Sequence, residues 1–381
     1  MKAAIITRYP KDPSAPHGGV EAVSVNLVRG LAQLEGLATA VVTTDPDVTT
    51  PRVEDVDGVE VHRLPRASRN VLTEAVGPGR RQMRQYLLKL APDVVHAHDV
   101  YGLMVQGLRL PRVFTVHGFI HADTLVSGQP LARIRSWIWR WFEVAGWADQ
   151  PHIISISPYV RERLRGLTTA TIHDIENPVA EAFFSIDRAE AAGTILCAAV
   201  IAPRKNTMAL VEALARLVAR GVDARLRLAG PVVESGYGQR LDERVAELGL
   251  GDRVRRLGAV PSVNIRQELA RASVFALASL EENAPMGIAE AMAAGVPVVT
   301  SNRCGMPYMV REGESGFLVE PGDVDEIAER LGQIIGDDAL RSRMSARSRA
   351  IAEDHFHPLR IARRTQDVYE RACRPRPRRT S

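Results

Sequence analysis

Short apolar runs alternate with longer amphipathic stretches along most of this 381-residue chain. The apolar runs have the length of buried strands, and the stretches between them carry apolar residues at helical spacing. Strands that alternate with helices in this way form parallel sheets covered by helices. The alternation occurs twice, first in KAAIITR (2–8), TAVVTT (39–44), GVEVHRL (58–64), PDVVHAH (92–98), RVFTVHG (112–118) and HIISIS (152–157), and then in TILCAAV (194–200), RLRLAG (225–230), RVRRLG, SVFALA (273–278) and PVVTS.

The two series predict an α/β protein with two doubly wound, Rossmann-like domains. A length of 381 residues is enough for two substantial cores. We assign 1–178 to the first domain and 194–355 to the second, with 179–193 as a linker because it has no sustained period. A helix over 356–373 is expected to pack back on the first domain, and 374–381 form a basic tail.

Composition excludes several classes of protein. The three cysteines, Cys197, Cys304 and Cys373, are widely spaced and odd in number, which argues against a disulfide framework or a zinc site. No apolar run approaches the roughly 18 residues of a membrane span, and the N-terminus lacks the apolar region of a signal peptide. We therefore expect a cytoplasmic protein. A formal charge of +4 is modest and no nucleic-acid-binding motif occurs, so no nucleic-acid partner is expected.

The segment SLEENAPMGIAEAMAAGVPVV is the most informative about function. Its proline and its last glycine predict a helix over 285–294, with Asn283 or Ala284 as the N-cap. The N-terminus of that helix suits a phosphate, because its N–H groups and dipole attract an oxyanion. Glu282 in the loop and Glu290 on the helix suit hydroxyl groups. A ligand that has both phosphates and hydroxyls is a nucleotide sugar.

Other candidate residues lie in loops that follow predicted strands, where open α/β sheets bind ligands. Gly18 and Gly19 could let the backbone approach a diphosphate, or they could serve as a flexible helix lead-in. Arg204 and Lys205 can converge on a phosphate or form a solvated loop pair. His117 can donate to a sugar or a phosphate, or be structural. Neither GxGxxG nor GxxxxGK[ST] is present, which disfavours a nicotinamide dehydrogenase and an ATPase.

Taken in order, several motifs resemble glycosyltransferase family 4, whose GT-B fold has two Rossmann-like domains facing a central cleft. They are the HGG loop, PDVVHAHD, TVHG, IENPV, PRKN, LAGP and ENAPMGIAEAMAAGVPVVTSNRCGMPYMVREGESGFLVEPGD. The resemblance covers nearly the whole chain. Its most specific part is the pair of glutamates separated by seven residues and followed by AMAAGVPVV. It implies transfer of a sugar from a nucleotide sugar, with UDP- or GDP-linked donors favoured, in glycoconjugate, polysaccharide or metabolite biosynthesis.

The resemblance also implies a role for each candidate residue. Glu290 would bind the ribose hydroxyls, Lys205 the diphosphate and His117 the sugar. Gly18 and Gly19 would approach the phosphates from the opposite domain. The donor sugar and the diphosphate would be bound by Glu282 and the backbone of Asn283, Ala284, Pro285, Met286, Gly287 and Ile288.

Two departures from the family pattern bear on activity. Family members often carry an arginine directly after the strand that opens the second domain, whereas this chain has Val200 there. We hypothesise that Arg204 substitutes for it. The family often has a glutamate after its Gly-Gly-x-Pro element, where this chain has Tyr308, and Cys304 replaces the first of the two glycines. These changes could alter the choice of sugar donor or weaken activity.

The implied transfer retains the configuration of the sugar. Since no nucleophile is evident, we expect a front-face transfer in which the leaving diphosphate accepts the acceptor's proton. Lys205, Arg204 and the helix N-terminus would stabilise the charge on that diphosphate. The candidate catalytic residues are His117, Lys205 and Glu282.

We expect no metal cofactor. The Asp-x-Asp triplets at 45/47, 55/57 and 323/325 fit two turns and a helix start better than a metal site, and His96 and His98 lack a third ligand. Two alternatives to a glycosyltransferase stay open. One is a non-catalytic partner that binds a nucleotide on the same fold, and the other is a sugar-nucleotide epimerase or a phosphorylase.

The acceptor could be a glycan, a lipid-linked molecule or a small metabolite, and the oligomeric state is open. One signal is LARIRSWIWRWFEVAGW (131–147), which permits peripheral contact with the inner membrane surface or with a lipid-linked acceptor. Core packing with arginines that reach solvent is the favoured interpretation. On a helix one apolar face would hold Ile134, Trp137, Ile138, Trp141 and Ala145, with Arg133, Arg135 and Arg140 around it.

Overall fold

A computed structural model of the chain describes residues 1–16, 18–125 and 131–374. His17 of the HGG loop and the predicted basic tail beyond Arg374 lie outside these residues. The chain divides into two compact units. The first comprises Met1–Pro178 and the C-terminal helix, and the second is Val179–His357.

The first unit is built around a sheet with strands β1 (Lys2–Ile6), β2 (Ala38–Asp45), β3 (Arg52–Val56), β4 (Val59–Pro65), β5 (Val94–His98), β6 (Arg112–Val116), β7 (His152–Ser155) and β8 (Thr171–Asp174). Their order is β3-β4-β2-β1-β5-β6-β7-β8. Neighbouring strands are parallel except β3 and β4, which form an antiparallel pair at one edge. The strand order reverses at β1 and β5, where doubly wound sheets bind ligands beyond the carboxyl ends of their strands.

Helices cover both faces of the first sheet, so the residues of its central strands are buried, as in β5 and β6. The longest of them bury one apolar stripe, for example Val23, Leu27 and Leu31. These helices are α1 (Gly19–Ala32), α2 (Val71–Val76), α3 (Pro78–Leu90), α4 (Tyr101–Met104), α5 (Ile120–Leu125), α6 (Ala132–Ala148) and α7 (Pro158–Leu164).

The second unit has a smaller sheet with strands β9 (Thr194–Ala198), β10 (Arg225–Ala229), β11 (Val254–Gly258), β12 (Val274–Leu277), β13 (Val298–Ser301) and β14 (Gly316–Val319). Their order is β11-β10-β9-β12-β13-β14, and every neighbouring pair is parallel. The helices are α8 (Thr207–Ala219), α9 (Ser235–Glu247), α10 (Ser262–Arg271), α11 (Met286–Ala293), α12 (Val324–Gly336) and α13 (Asp338–His355). Two sheets of this kind confirm the predicted α/β class.

The last helix, α14 (Pro358–Cys373), packs against α1 in the first unit. The two helices approach closely at Gly30, where a Cβ atom would lie 2.7 Å from the carbonyl oxygen of Pro358. Tyr369 of α14 is fully buried. The segment 179–193, which we had assigned as a linker, lies in the second unit, where Phe183 and Phe184 are buried in the core.

The expectation about the packing of helix α6 is wrong. Its apolar stripe was expected to pack in the core, but Ile134, Trp137 and Trp141 are exposed. The opposite face of the helix is buried instead, and it includes Gly146 and Trp147. Within the described ranges, no helix combines the length and the apolar character that crossing a bilayer requires.

Candidate active site

The loop between β12 and α11 holds most of the predicted site residues. The helix begins at Met286, one residue later than predicted, because Pro285 has extended backbone with ψ 123° and occupies the N-cap position. The proposed caps, Asn283 and Ala284, therefore lie in the loop. No described side chain caps this helix. Its first turn is therefore open to an acceptor group from a ligand.

Glu282 lies in this loop in contact with the two predicted cations. The ammonium of Lys205 donates to Oε1 of Glu282, and Nη1 of Arg204 lies 3.2 Å from the same oxygen. Arg204 also donates to the backbone oxygen of Glu281 at 2.5 Å. The side chains of Lys205 and Glu282 are only 12% and 10% exposed. The structure thus brings Glu282 into contact with two adjacent cations that lie 77 and 78 positions earlier in the chain.

The two cations are held by a short 3-10 turn, Pro203–Lys205, which follows β9 and precedes α8. The backbone oxygen of Arg204 accepts a hydrogen bond from the N–H of Leu280 at 2.9 Å, which ties the two strand-end loops to each other. Asn206 stands at the N-cap of α8 as predicted, but its side chain does not cap the helix. Its Nδ2 donates to the carbonyl oxygen of Pro321 at 2.7 Å.

Glu290 lies on α11 in a different environment from Glu282. Its neighbours in the helix, Ala289 and Ala291, are buried in the core, and Glu290 itself is only partly exposed. Burial raises the pKa of its carboxyl group to about 8, because desolvation disfavours the charged form. No described residue forms a hydrogen bond or an ion pair with this carboxyl group. It is therefore available to a ligand.

Two glycines allow the backbone to pack closely around this loop. At Gly287, a Cβ atom would lie 2.9 Å from the carbonyl oxygen of Ala198, at the end of β9. At Gly305, it would lie 1.7 Å from the carbonyl oxygen of Asn283, and the N–H of Gly305 donates to the oxygen of Glu282 at 2.8 Å. Cys304, next to Gly305, has a φ of 55°, the left-handed conformation that favours glycine. This conformation explains why a glycine suits that position.

In the first unit, His117 follows β6 and belongs to a row of three histidines. Its Nε2 lies 2.8 Å from Nδ1 of His98, and the rings of His98 and His96 are 4.3 Å apart. His96 in turn contacts the hydroxyl groups of Tyr369 and Thr115, each at 2.7 Å. Burial lowers the pKa of His96 to about 3, and it also lowers the pKa values of His98 and His117. The row is therefore neutral near pH 7.

Asp99 ends the PDVVHAHD motif, and the sequence predicts no role for it. It follows β5 directly and has a φ of 48°, an uncommon conformation for a residue other than glycine. Burial raises the pKa of its carboxyl group, and positive charge on His117 or Arg8 would oppose that shift. Asp99 and His117 line one cavity together with Glu143. The position of Asp99 directly after a strand is the sequence signal that could have identified it.

Gly18 and Gly19 stand at the start of α1, after β1. Gly18 has a φ of 90°, which requires glycine, and no described atom lies within 4 Å of the position of a Cβ. Strand β5 separates β1 from β6, so these glycines and His117 follow strands that are two positions apart in the sheet. The remaining candidates, Arg204, Lys205 and 282–290, belong to the second unit.

Acidic residues in the Asp-x-Asp triplets have other roles. Asp323 caps α12 by accepting from the N–H of Glu326 at 2.9 Å, which confirms the predicted helix start. Asp47 pairs with Lys11, and Asp57 pairs with Arg29. Within 1–16, 18–125 and 131–374, no cluster of three or more metal-ligating side chains has the geometry of a metal site.

Comparison with known protein families accounts for both units. One family model, described as Glycosyltransferase Family 4, matches residues 17–183, and another, Glycosyl transferases group 1, matches residues 179–351. The chain belongs to glycosyltransferase family 4. This glycosyltransferase is 29% identical to a D-inositol 3-phosphate glycosyltransferase of Nocardioides sp. over 93% of the chain and 85% of the relative. It is 28% identical to an MMP alpha-(1->4)-mannosyltransferase of Mycolicibacterium hassiacum over 74% and 71% of the two chains.

Solved structures show that the glycosyltransferase has the GT-B fold. It resembles sucrose-phosphate synthase from Thermosynechococcus elongatus with a TM-score of 0.79 and 23% identity, over 97% of this chain and 98% of that one. It also resembles HepE from Anabaena, solved in complex with UDP, with a TM-score of 0.72 and 18% identity, over 97% and 100% of the two chains. At these identities the likeness establishes the fold alone.

Proposed function

We propose that this glycosyltransferase transfers a sugar from a nucleoside diphosphate sugar to an acceptor hydroxyl group, with retention of configuration and without a metal ion. The observation that carries this proposal is the set of groups at the carboxyl ends of β9 and β12, two neighbouring strands. Two cations, Lys205 and Arg204, lie there in contact with Glu282. Helix α11, which follows β12, has an uncapped N-terminus and carries the carboxyl group of Glu290, which has no described partner. These groups match the ribose and the diphosphate of a nucleotide.

Glu290 binds the ribose in this proposal. A carboxylate can accept two hydrogen bonds at once, and a ribose offers two neighbouring hydroxyl donors. Because hydroxyl donors stabilise the ionised form, binding lowers the pKa of Glu290 from its raised value of about 8. Nucleotide binding near pH 7 therefore releases a proton. HepE, which has the same fold, has been solved with UDP-glucose, and this supports a nucleotide-sugar donor.

Lys205 and Arg204 bind the diphosphate. Both cations contact Glu282, so their charges are partly compensated by one carboxylate. An incoming diphosphate offers more negative charge than Glu282 and competes for both cations, which leaves Glu282 to accept from a hydroxyl of the donor sugar. When the bond from the sugar to the diphosphate breaks, the same cations and the N-terminus of α11 stabilise the charge on the leaving group.

The acceptor belongs to the first unit in this proposal. Neutral His117 can donate to a sugar hydroxyl, or accept from one, without introducing a charge. The acceptor oxygen bonds to the anomeric carbon on the face from which the diphosphate leaves, and its proton passes to the departing phosphate oxygen. That arrangement retains configuration without a covalent enzyme intermediate.

A cavity of about 770 Å³ at the carboxyl ends of β1, β2 and β4 is the proposed acceptor site. Its volume lies within the range typical of ligand pockets. Its lining mixes charged and polar side chains, among them Arg8, Asp45, Arg66 and Tyr101, which suits a hydroxyl-rich acceptor. The D-inositol 3-phosphate glycosyltransferase relative is named for an acceptor of that polar kind, and this also supports the proposal.

The test incubates the protein with a panel of UDP-, GDP-, ADP- and TDP-sugars, with and without candidate acceptors. Turnover is measured as release of the nucleoside diphosphate. We expect one nucleotide class to be cleaved, the product to keep the anomeric configuration in NMR spectra, and EDTA to leave the rate unchanged. Nucleotide binding without cleavage under all conditions would favour the non-catalytic alternative. Conversion of the sugar on an intact nucleotide would favour an epimerase.

A further inference from the structure

All four tryptophans of the chain lie on helix α6, within eleven residues of one another. Two of them are strongly exposed, Trp137 at 70% and Trp141 at 62%. Leu131 and Ile134 are exposed on the same side of the helix. We call these four residues the tryptophan face. A contiguous exposed patch of large apolar side chains on a globular protein indicates an interaction surface.

The tryptophan face does not serve the core of the first unit, because α6 is packed through its opposite side. There, Oγ of Ser136 donates to the carbonyl oxygen of His121 at 2.7 Å. The carboxylate of Glu143 accepts from the N–H groups of Ile120 and His121 at 2.8 and 3.0 Å. Trp147 is buried on that side too. The described hydrogen bonds that anchor the helix thus lie on the side away from its exposed face.

Three arginines border the tryptophan face. At about 100° per residue, Arg133 and Arg140 lie along one edge of it and Arg135 lies along the other. All three are exposed, and none forms a hydrogen bond or an ion pair with a described side chain. The one acidic residue of α6, Glu143, is buried and already bonded. The surface therefore presents apolar rings between uncompensated positive charges.

We propose that the tryptophan face docks this protein on the surface of an anionic lipid bilayer. Indole rings partition to the boundary between lipid headgroups and acyl chains, because they combine a large apolar area with a polar N–H group. Guanidinium groups on both sides of the rings reach the lipid phosphates at the same depth. The arrangement matches a helix that lies in the plane of the membrane interface. Docking is independent of the proposed sugar transfer, so either can fail alone.

The experiment uses the tryptophan fluorescence of the full-length protein, which reports on α6 alone. We expect the emission to shift to shorter wavelength with vesicles that contain phosphatidylglycerol, and the protein to co-sediment with them. Pure phosphatidylcholine vesicles should bind far less protein, and high salt should release it from the anionic vesicles. Absence of binding to the anionic vesicles would overturn the proposal.

Variants separate the apolar and the charged contributions. The double variant Trp137→Ser and Trp141→Ser should lose detectable vesicle binding, with Trp139 and Trp147 left as fluorescent reporters. The triple variant Arg133→Gln, Arg135→Gln and Arg140→Gln should bind anionic vesicles about a hundredfold more weakly. Because all five side chains are exposed, circular dichroism and thermal unfolding should match the wild type.

The matched control replaces an exposed leucine and an exposed arginine of α3 in the same unit, Leu88→Ser with Arg81→Gln. It should bind vesicles like the wild type. If the tryptophan and arginine variants also bind like the wild type, the face is not the docking surface. A shift in emission with rising protein concentration in the absence of lipid, together with a dimer in light scattering, would assign the face to a second copy of the chain instead.

Discussion

The polar groups at the strand ends are stabilised by ion pairs in the second unit and by loss of charge in the first. In the second unit, the ammonium of Lys205 and the guanidinium of Arg204 are compensated by the carboxylate of Glu282. In the first unit, the imidazoles of His98 and His117 are kept neutral by burial and contact each other. We call the ion-paired group of the second unit the charged site and the histidine row of the first unit the neutral site. This difference suits the second unit to a charged leaving group and the first to an uncharged hydroxyl.

Glu290 is the exception within the second unit. Its carboxyl group is buried without a partner, whereas Glu282, eight residues earlier, has two. A carboxyl group without a partner reduces stability when it is desolvated, and the ligand role proposed for Glu290 offers a reason for its presence. In the proposed function, Glu290 binds the ligand and Glu282 positions the two cations.

The largest expected effect comes from removing a cation of the charged site. Lys205→Ala should lower the transfer rate by about a hundredfold to a thousandfold, because one stabilising charge on the leaving diphosphate is lost. The free energy of unfolding should fall by only about 1–2 kcal/mol, since Arg204 still compensates Glu282. The measurements are steady-state kinetics and urea unfolding.

Lys89→Ala, which removes an exposed lysine of α3, is the control for Lys205→Ala and should change neither quantity. A loss of stability as large as the loss of transition-state stabilisation would show that Lys205 is structural. The charged site would then have no special role in the reaction.

The next largest effect tests the backbone that positions Glu282. Gly305→Ala places a methyl group 1.7 Å from the carbonyl oxygen of Asn283, so the loop must move. We expect a loss of about 1–3 kcal/mol of stability, and about a hundredfold in rate because Glu282 and its cations are displaced. Gly251→Ala, at a glycine with open space around it, is the control and should be neutral in rate. A fully active Gly305→Ala variant would contradict the assigned role of this loop.

The pH dependence of stability should have opposite signs in the two sites. Below about pH 6.5 the unfolded chain binds protons at histidine, whereas folded His96 does not until about pH 3, so stability falls as the pH drops. For Glu290 the folded pKa of about 8 exceeds the unfolded value, so stability falls as the pH rises from about 4.5 to 8.

Urea unfolding across this pH range tests both signs. His96→Gln should reduce the acid slope by up to about 1.4 kcal/mol per pH unit, and Glu290→Gln should reduce the loss at higher pH. If His96→Gln leaves the acid slope unchanged, His96 is not a source of acid sensitivity.

The smallest expected effect is at Cys304. Cys304→Gly should raise the free energy of unfolding by about 0.5–1 kcal/mol, because glycine adopts a φ of 55° without steric cost. Thermal unfolding checks this expectation. A clear loss of stability would mean that the cysteine side chain contributes packing that outweighs its backbone strain.

The residues of the charged site could be selected from the sequence because their signal is local. Glu282 and Glu290 stand in one loop–helix segment, and Lys205 directly precedes a helix whose residues have clear apolar spacing. The helix start at Met286 was missed by one residue, since Pro285 serves as N-cap or as first helical residue with equal ease in the sequence. The two doubly wound sheets followed from the alternating pattern, whereas the order of their strands did not.

The neutral site was harder to predict because it depends on tertiary burial. Nothing in the sequence near His117 reveals that His98 contacts it, or that Tyr369 closes the row from the other end of the chain. Strand β3 was missed because RVEDV is an exposed edge strand without an apolar run. The face of α6 was assigned to the core because helical periodicity gives an apolar stripe but not what covers it.

Glu290 supplies the most direct test, a calorimetric titration of the wild type and of Glu290→Gln with UDP and GDP in buffers of different ionisation enthalpy. The account predicts that the wild type binds one of the two nucleotides and releases a proton near pH 7. Glu290→Gln should bind it about tenfold to hundredfold more weakly without proton release. Glu243→Gln, an exposed glutamate of α9, should behave like the wild type. Equal affinity for the wild type and Glu290→Gln, or no nucleotide binding at all, would contradict the account.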